Sequence, residues 1–349
     1  MALADPVVIT CGISGVVASR EQCPAIPYTP AEYAAEARRI VEEGGVHIHI
    51  HARRPDGSPS HEIEDYRAIR DAIVAEVGDR AVVNFSTGAV GVPVEKRVAY
   101  LEACGPEVAA LNMGSLTYAK YSRARRGFVF DFVFANPFSE IVALLEAMRE
   151  LGIKPEHECF DLGHVGALEP LVDMGLLQAP LHVDFVMGVH GGVPATARNL
   201  AAMADNLKDA WAAGCATDRE AGGAVAAAGG AVAGAEPAAG GPVAGGAVAG
   251  GADPAGGRAA VGGGDPAPRH HWGVIGIGRA QWPMVAAALA LGGSVRVGLE
   301  DNFYLPDGAM ARSNGELVAA ARALVEGAGR RPATVEEARA LLGLPAPSL

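Results

Sequence analysis

The sequence is short of positive charge. Its 28 Lys and Arg stand against 40 Asp and Glu, a net charge of −12. That balance excludes a broad nucleic-acid-binding face, which needs the opposite sign, and fits an ordinary soluble protein. Cysteine is scarce and scattered. Cys11, Cys23, Cys104, Cys159 and Cys215 form no CxxC pair, and an odd, unclustered set points to reduced thiols in a cytoplasmic protein. No window holds about 18 or more large apolar residues in a row, so no membrane span is expected. The opening MALADPVVIT lacks a basic region followed by a long apolar run, so no signal peptide is read. The apolar fraction of 50% misleads, because much of it is alanine in one biased stretch.

What is present is alternation of two periods. Strand-like segments fall near 6–14, 46–52, 81–87, 108–115, 157–164, 181–188, 272–278 and 294–301. Helix-like stretches follow at 30–43, 62–77, 94–103, 138–151, 166–177, 196–207, 282–291 and 314–327. Thr29-Pro30-Ala31-Glu32 offers an N-cap, a proline at the first helical position and a capping-box glutamate; Ser313 to Glu316 and Thr334 to Glu337 share the box spacing. The last opens a short terminal helix ending near Leu342-Gly343. Eight βα units in series, plus that helix, predict a single (β/α)8 TIM-barrel domain over 1–349. An open doubly wound sheet is the competing fold, but the glycine-rich phosphate loop it favours is absent from CGISGVVAS.

One segment departs from the alternation. Residues 213–268 are almost wholly Ala, Gly, Pro and Val, and 221–264 alone hold 16 of the 46 glycines. Such a composition cannot bury enough surface to offset its ordering entropy. We expect a flexible, dispensable insertion between the sixth helix and the seventh strand, and no functional lid.

The chemistry concentrates on strands. In VHIHIHA, residues two apart share a face, so Val46, Ile48 and Ile50 oppose His47, His49 and His51. The outer face of a barrel packs on helices and is apolar, so the histidines point inward. The later ones lie nearest the C-terminal rim, where barrel enzymes do chemistry. Strand eight splits Val295, Val297 and Leu299 from Arg296, Gly298 and Glu300. Strand three splits Val83 and Phe85 from Asn84 and Ser86. A His-x-His pair plus a carboxylate is a catalytic metal set, and we expect His49, His51 and Glu300 to hold a divalent ion. A lone strand histidine more often hydrogen-bonds inside a polar core; the pair beside an inward glutamate favours the metal. His47 is deeper and is read as packing, or as a residue that supports the metal ligands from behind. Arg296 and Asp301 flank the set, as an acid–base pair or as an ion pair that orients Glu300. Ser86, Thr87 and Gly88 end strand three and offer hydroxyls and backbone N–H groups to a carboxylate, or cap the next helix. Glu158, His164 and His190 near other strand ends are each read singly as structural. GIGR at 276–279 is a weak phosphate-site signal.

With these residues placed, the chain resembles the β-keto acid cleavage enzymes. The matching stretches are HIHARRPDG, NFSTG, LNMGS, ECFDLGH, FVMGVHGG, GIGRAQWP and VRVGLEDN, followed by SNGELV and EARALLGL. The resemblance implies a (β/α)8 fold, a divalent metal that is usually zinc, and condensation of a β-keto acid with acetyl-CoA to give acetoacetate and a new CoA thioester. It makes His49, His51 and Glu300 the metal ligands, and Arg296 and Asp301 the catalytic pair. It makes Ser86, Gly88 and Asn112 contacts to the keto acid and Glu158 a selector of its distal group. Arg54 stands where the family often has an acidic residue, and the Ala/Gly segment is unusual. A homo-oligomer without nucleic-acid or membrane partners is expected. The rival is a metal-dependent amidohydrolase-type barrel, with His164, His190 and Asp301 as further ligands. Its His-x-His belongs on the first strand, and VAALNMGS has no lysine to bridge two metals.

Overall fold

The computed structural model describes residues 5–216 and 270–346. Its strands are β1 (Ile9–Gly12), β2 (His47–Ile50), β3 (Val82–Ser86), β4 (Val108–Asn112), β5 (Leu116–Ser122), β6 (Gly127–Phe134), β7 (Lys154–Cys159), β8 (His182–Met187), β9 (His271–Gly276) and β10 (Ser294–Val297). Its helices are α1 (Pro30–Glu42), α2 (Ile63–Val77), α3 (Val94–Cys104), α4 (Phe138–Leu151), α5 (Leu162–Gly166), α6 (Leu168–Asp173), α7 (Ala197–Ala216), α8 (Gln281–Leu291), α9 (Asn314–Gly327) and α10 (Val335–Leu342). Eight of the strands are parallel and close in the order β1–β10–β9–β8–β7–β4–β3–β2, so the expected TIM barrel is the fold.

The strand alternation sorts two interiors. Ile9, Ile48, Phe85, Leu111, Phe185 and Val295 belong to the apolar layer shared with the helices. Their neighbours His47, His49, Asn84, Asp184 and Arg296 are also buried, on the opposite face, inside the barrel. Thr29 and Thr334 make the reciprocal capping boxes that their spacing predicts. Ser313 caps α9 alone, because the Glu316 carboxylate turns to the Arg312 N–H instead. At the barrel floor Val8 and Val46 pack with Ala333 and Ala338, so α10 covers the end opposite the strand C-termini.

Three differences from the sequence reading have local causes. The 294–301 strand ends at Val297, because Gly298 turns the chain at φ 144°. The 166–177 helix is two short helices, α5 and α6, and the strand before them ends at Cys159. A β-hairpin, β5–β6, follows β4 at the C-terminal rim, where the sequence reading assigns no element. The 213–268 segment lies outside the described residues except for 213–216, which end α7.

Candidate active site

The barrel aligns β1, β2 and β10 side by side, pairing Gly12 with His49 and Thr10 with both His47 and Arg296. His49 is fully buried, and its Nε2 lies 3.6 Å from Glu300 Oε1. His51 follows the end of β2, and its Nε2 lies 3.4 Å from the same oxygen. Tyr33 of α1 fixes His51 by donating to its carbonyl at 2.7 Å, and Ser14 meets the Tyr33 hydroxyl at 2.6 Å. Three potential ligand atoms, one from each of His49, His51 and Glu300, lie within 4.8 Å of one another.

Glu300 arrives through a turn and not by pleating. After Gly298, the Asp301 and Asn302 N–H groups both donate to the Gly298 carbonyl at 3.0 Å, and the Glu300 N–H donates to the Gly12 carbonyl at 3.1 Å. This turn brings the adjacent side chains of Glu300 and Asp301 onto one guanidinium. Arg296 Nη2 donates to Glu300 at 2.6 Å, Nε donates to Asp301 at 3.0 Å, and Nη1 donates to Glu158 on β7 at 3.1 Å. Asn314, at the start of α9, pins the turn by accepting from the Leu299 N–H and donating to the Ile13 carbonyl. Gly12 and Gly15 leave the room: a Cβ on Gly12 would sit 2.8 Å from Arg296 Nη2, and one on Gly15 would sit 2.7 Å from Glu300 Cγ.

The electrostatics follow from three carboxylates around one buried cation. Burial raises Asp301 and Glu158 above the usual carboxylate range against the pull of Arg296. Glu300 is held well below it by Arg296 and the two histidines, despite its burial. Burial and Arg296 push the His49 imidazole toward its neutral form, which is the form that ligates metals. Glu300 Oε2, His49 Nδ1 and His51 Nδ1 are buried without hydrogen-bond partners. Two imidazoles, a carboxylate with a free oxygen and a local excess of negative charge fit a divalent cation.

Ser86, Gly88 and Asn112 gather on the adjacent arc. The Gly88 N–H donates to Ser86 Oγ at 3.2 Å, and a Cβ on Gly88 would stand 3.1 Å from Asn112 Nδ2. Asn112 pairs in register with Glu158. All the expected site residues thus lie on barrel strands or the loops that follow them. His164 and His190 do not join them: the His164 ring bonds to Phe160 N–H and Ser115 O, and His190 is exposed.

Several residues escaped the sequence reading. Arg53 is buried and donates to the Ser14, Gly15, Ala18 and Gly57 carbonyls, clamping the loop after β1 to the loop after β2. Its neighbour Arg54 faces Glu62 and Asp65 at the surface. Below the site, His47, Glu156, His182, Asp184 and His271 fill the barrel with a second polar layer. The same alternation that marks VHIHIHA marks LHVDFVM, and it was the available signal for His182 and Asp184.

A family model described as beta-keto acid cleavage enzyme matches residues 6–236 and 242–344. The match therefore runs through most of the Ala/Gly-rich segment as well as the barrel. The 3-keto-5-aminohexanoate cleavage enzyme of Fusobacterium nucleatum is 30% identical over 98% of this chain and 99% of its own length. The 3,5-dioxohexanoate:acetyl-CoA acetone transferase of Paraburkholderia graminis is 29% identical over 99% of this chain and 97% of its own. Among solved structures, ObcA in binary complex with oxaloacetate shares the fold, with a TM-score of 0.61, 19% identity, and coverage of 93% of this chain and 68% of that one. With HIHAR and VRVGLEDN brought together around Arg296 and the whole barrel matched, the chain belongs to the beta-keto acid cleavage enzyme family.

Proposed function

We propose that the protein condenses a β-keto acid with acetyl-CoA, releasing acetoacetate and the acyl-CoA of the remaining carbon chain. The observation that carries this reading is the convergence of Glu158, Glu300 and Asp301 on Arg296 beside His49 and His51. Names of full-length relatives support it, including a 3-oxoadipate:acetyl-CoA acetyltransferase.

His49, His51 and Glu300 would hold the divalent ion, for which we propose zinc; when bound, it supplies Lewis-acid stabilisation to the oxygens of the keto acid. Asp301 removes the proton from the carbon between the keto and carboxylate groups. Its raised proton affinity suits a base that must later release that proton. Arg296 keeps Asp301 in place and balances charge as the proton moves. The carbanion carbon bonds to the acetyl carbonyl as the C–S bond of acetyl-CoA breaks and CoA leaves as its thiolate. That thiolate then bonds to the original keto carbon as the bond between this carbon and the former carbanion carbon breaks, and Asp301 returns its proton to the acetoacetate carbanion. Ser86, Gly88 and Asn112 receive the carboxylate end, where the Ser86 hydroxyl and the Asn112 amide offer donors and the missing side chain of Gly88 leaves room beside them. Glu158 meets the distal group of the keto acid.

Among the described residues no helix is long and apolar enough to cross a membrane. Four buried free cysteines support a reducing, cytoplasmic setting, and the exposed Val129 and Val133 of β6 support self-association. The hydrolase alternative finds no support, since His164 and His190 lie apart from the cluster. Acetoacetate formation measured with acetyl-CoA and a panel of β-keto acids tests the function. Turnover of at least one member is expected; no acetoacetate from any of them overturns the reading.

A further inference from the structure

The hairpin that the sequence reading missed carries an imbalance of charge. Residues 116–134 contain Lys120, Arg123, Arg125 and Arg126 against one acid, Asp131, in a chain of net charge −12. All four cations are exposed, and among the described residues none has a carboxylate within 4.0 Å of its charged group. Exposed Arg67, Arg80, Arg149 and Arg198 also have no carboxylate within 4.0 Å among the described residues, but they are scattered, whereas the hairpin gathers four such cations within seven residues. Beside the tip, the exposed Tyr121 and Phe128 rings meet edge to face at 5.5 Å.

The other end of the hairpin reaches the site. Tyr118 packs against Phe132, Phe134 and Phe160, and its hydroxyl is pushed up by burial and by the negative charges of Glu300, Asp301 and Glu158. Thr117 passes so close to Gly191 that a Cβ there would clash with the Thr117 carbonyl, which seats the hairpin on the loop after β8. From Tyr118 to Arg123 an extended strand covers about 17 Å, at roughly 3.3 Å per residue.

We propose that this hairpin is the docking arm for acetyl-CoA: Lys120, Arg123, Arg125 and Arg126 take the phosphate groups, Tyr121 and Phe128 offer a face to the adenine, and the long, narrow pantetheine arm runs along β5 to bring the thioester to the site. The assignment rests on acetyl-CoA being the acyl donor. Its chemistry is that of a polyanion with an aromatic base, which unpaired guanidinium groups and exposed rings recognise together. A small keto acid has no use for such a surface, since its carboxylate is met inside the barrel mouth.

The test is the triple variant R123A/R125A/R126A, whose changes lie on an exposed turn. Its KM for acetyl-CoA should rise by about tenfold or more, while kcat at saturating acetyl-CoA and the KM for the keto acid stay unchanged. An acetyl thioester of N-acetylcysteamine, which lacks phosphate and adenine, should serve both proteins equally. Adenosine 3′,5′-bisphosphate should compete with acetyl-CoA in the unaltered enzyme and lose that effect in the variant. An unchanged KM for acetyl-CoA overturns the proposal, as does a variant that only changes its sedimentation as an oligomer. If the unaltered protein makes no acetoacetate, the functional reading fails separately, and calorimetry with CoA still decides the arm: equal binding by both proteins, or none by either, overturns it.

Discussion

Gly12 has no side chain because Arg296 and Glu300 occupy the space one would fill. Gly12→Ala is expected to displace the guanidinium, lowering kcat/KM by about tenfold or more with little loss of thermal stability; unfolding curves and kinetics on one preparation check it. Neighbouring acids separate by role. Asp301→Asn should keep metal and fold but lose about 10²–10⁴-fold in kcat, the usual weight of a positioned base. Glu300→Gln should lose metal, because a neutral amide is a poorer ligand; elemental analysis of both variants decides. Near-normal acetoacetate formation by Asp301→Asn would move the base to Glu158. At this scale His49, His51, Arg296 and Glu300 were legible because inward residues alternate along strands. The pleat also predicted the wrong route for Glu300, since a turn at Gly298 and not the strand delivers it together with Asp301. Arg53 and Asn314 were not legible, because each works on carbonyls or N–H groups that only the folded chain brings near.

Elements were legible where they fit a repeating unit. The capping boxes at Thr29 and Thr334 could be placed from four consecutive residues. Thr334→Ala should cost about 1 kcal/mol and leave kcat alone, because α10 covers the floor and touches nothing at the rim; thermal melts and kinetics check this. The same boxes set an acid limit. Glu32 and Glu337 are held down to about 2, against an ordinary 4.5, by backbone N–H groups and by Arg20 and Arg331. Their contribution is full above the ordinary value and fades as pH falls toward 2, so melts of Glu337→Gln and of the unaltered protein should converge between those limits. The β5–β6 hairpin escaped because a strict βα alternation leaves no room for it. Its signal was present, with Phe128, Phe130, Phe132 and Phe134 alternating against Val129, Asp131 and Val133 after Gly127. The helix expected over 166–177 failed for the opposite reason, as the chain after Asp161 makes two short helices.

For the molecule as a whole, closure of the barrel gathers strands distant in sequence, so the carboxylate cluster and the polar layer beneath it belong to one interior. Dialysis against a chelator is expected to abolish acetoacetate formation and lower the melting temperature, both restored by zinc; full activity in metal-depleted protein would refute the ligand set. The lower layer has a different consequence. His47 meets Thr10, Asn84 donates to Glu156, His182 faces Asp184, and the His182 and His271 rings lie 5.3 Å apart. Burial drives His47, His271 and Glu156 toward their neutral forms, so removing one member leaves a buried polar partner unsatisfied, at about 1–3 kcal/mol, against a total stability of only about 5–15 kcal/mol for a typical domain. A lineage drifting in sequence can therefore trade these residues only in company. The outer faces of the helices can diverge one letter at a time, while the column inside the barrel has to change as a single word.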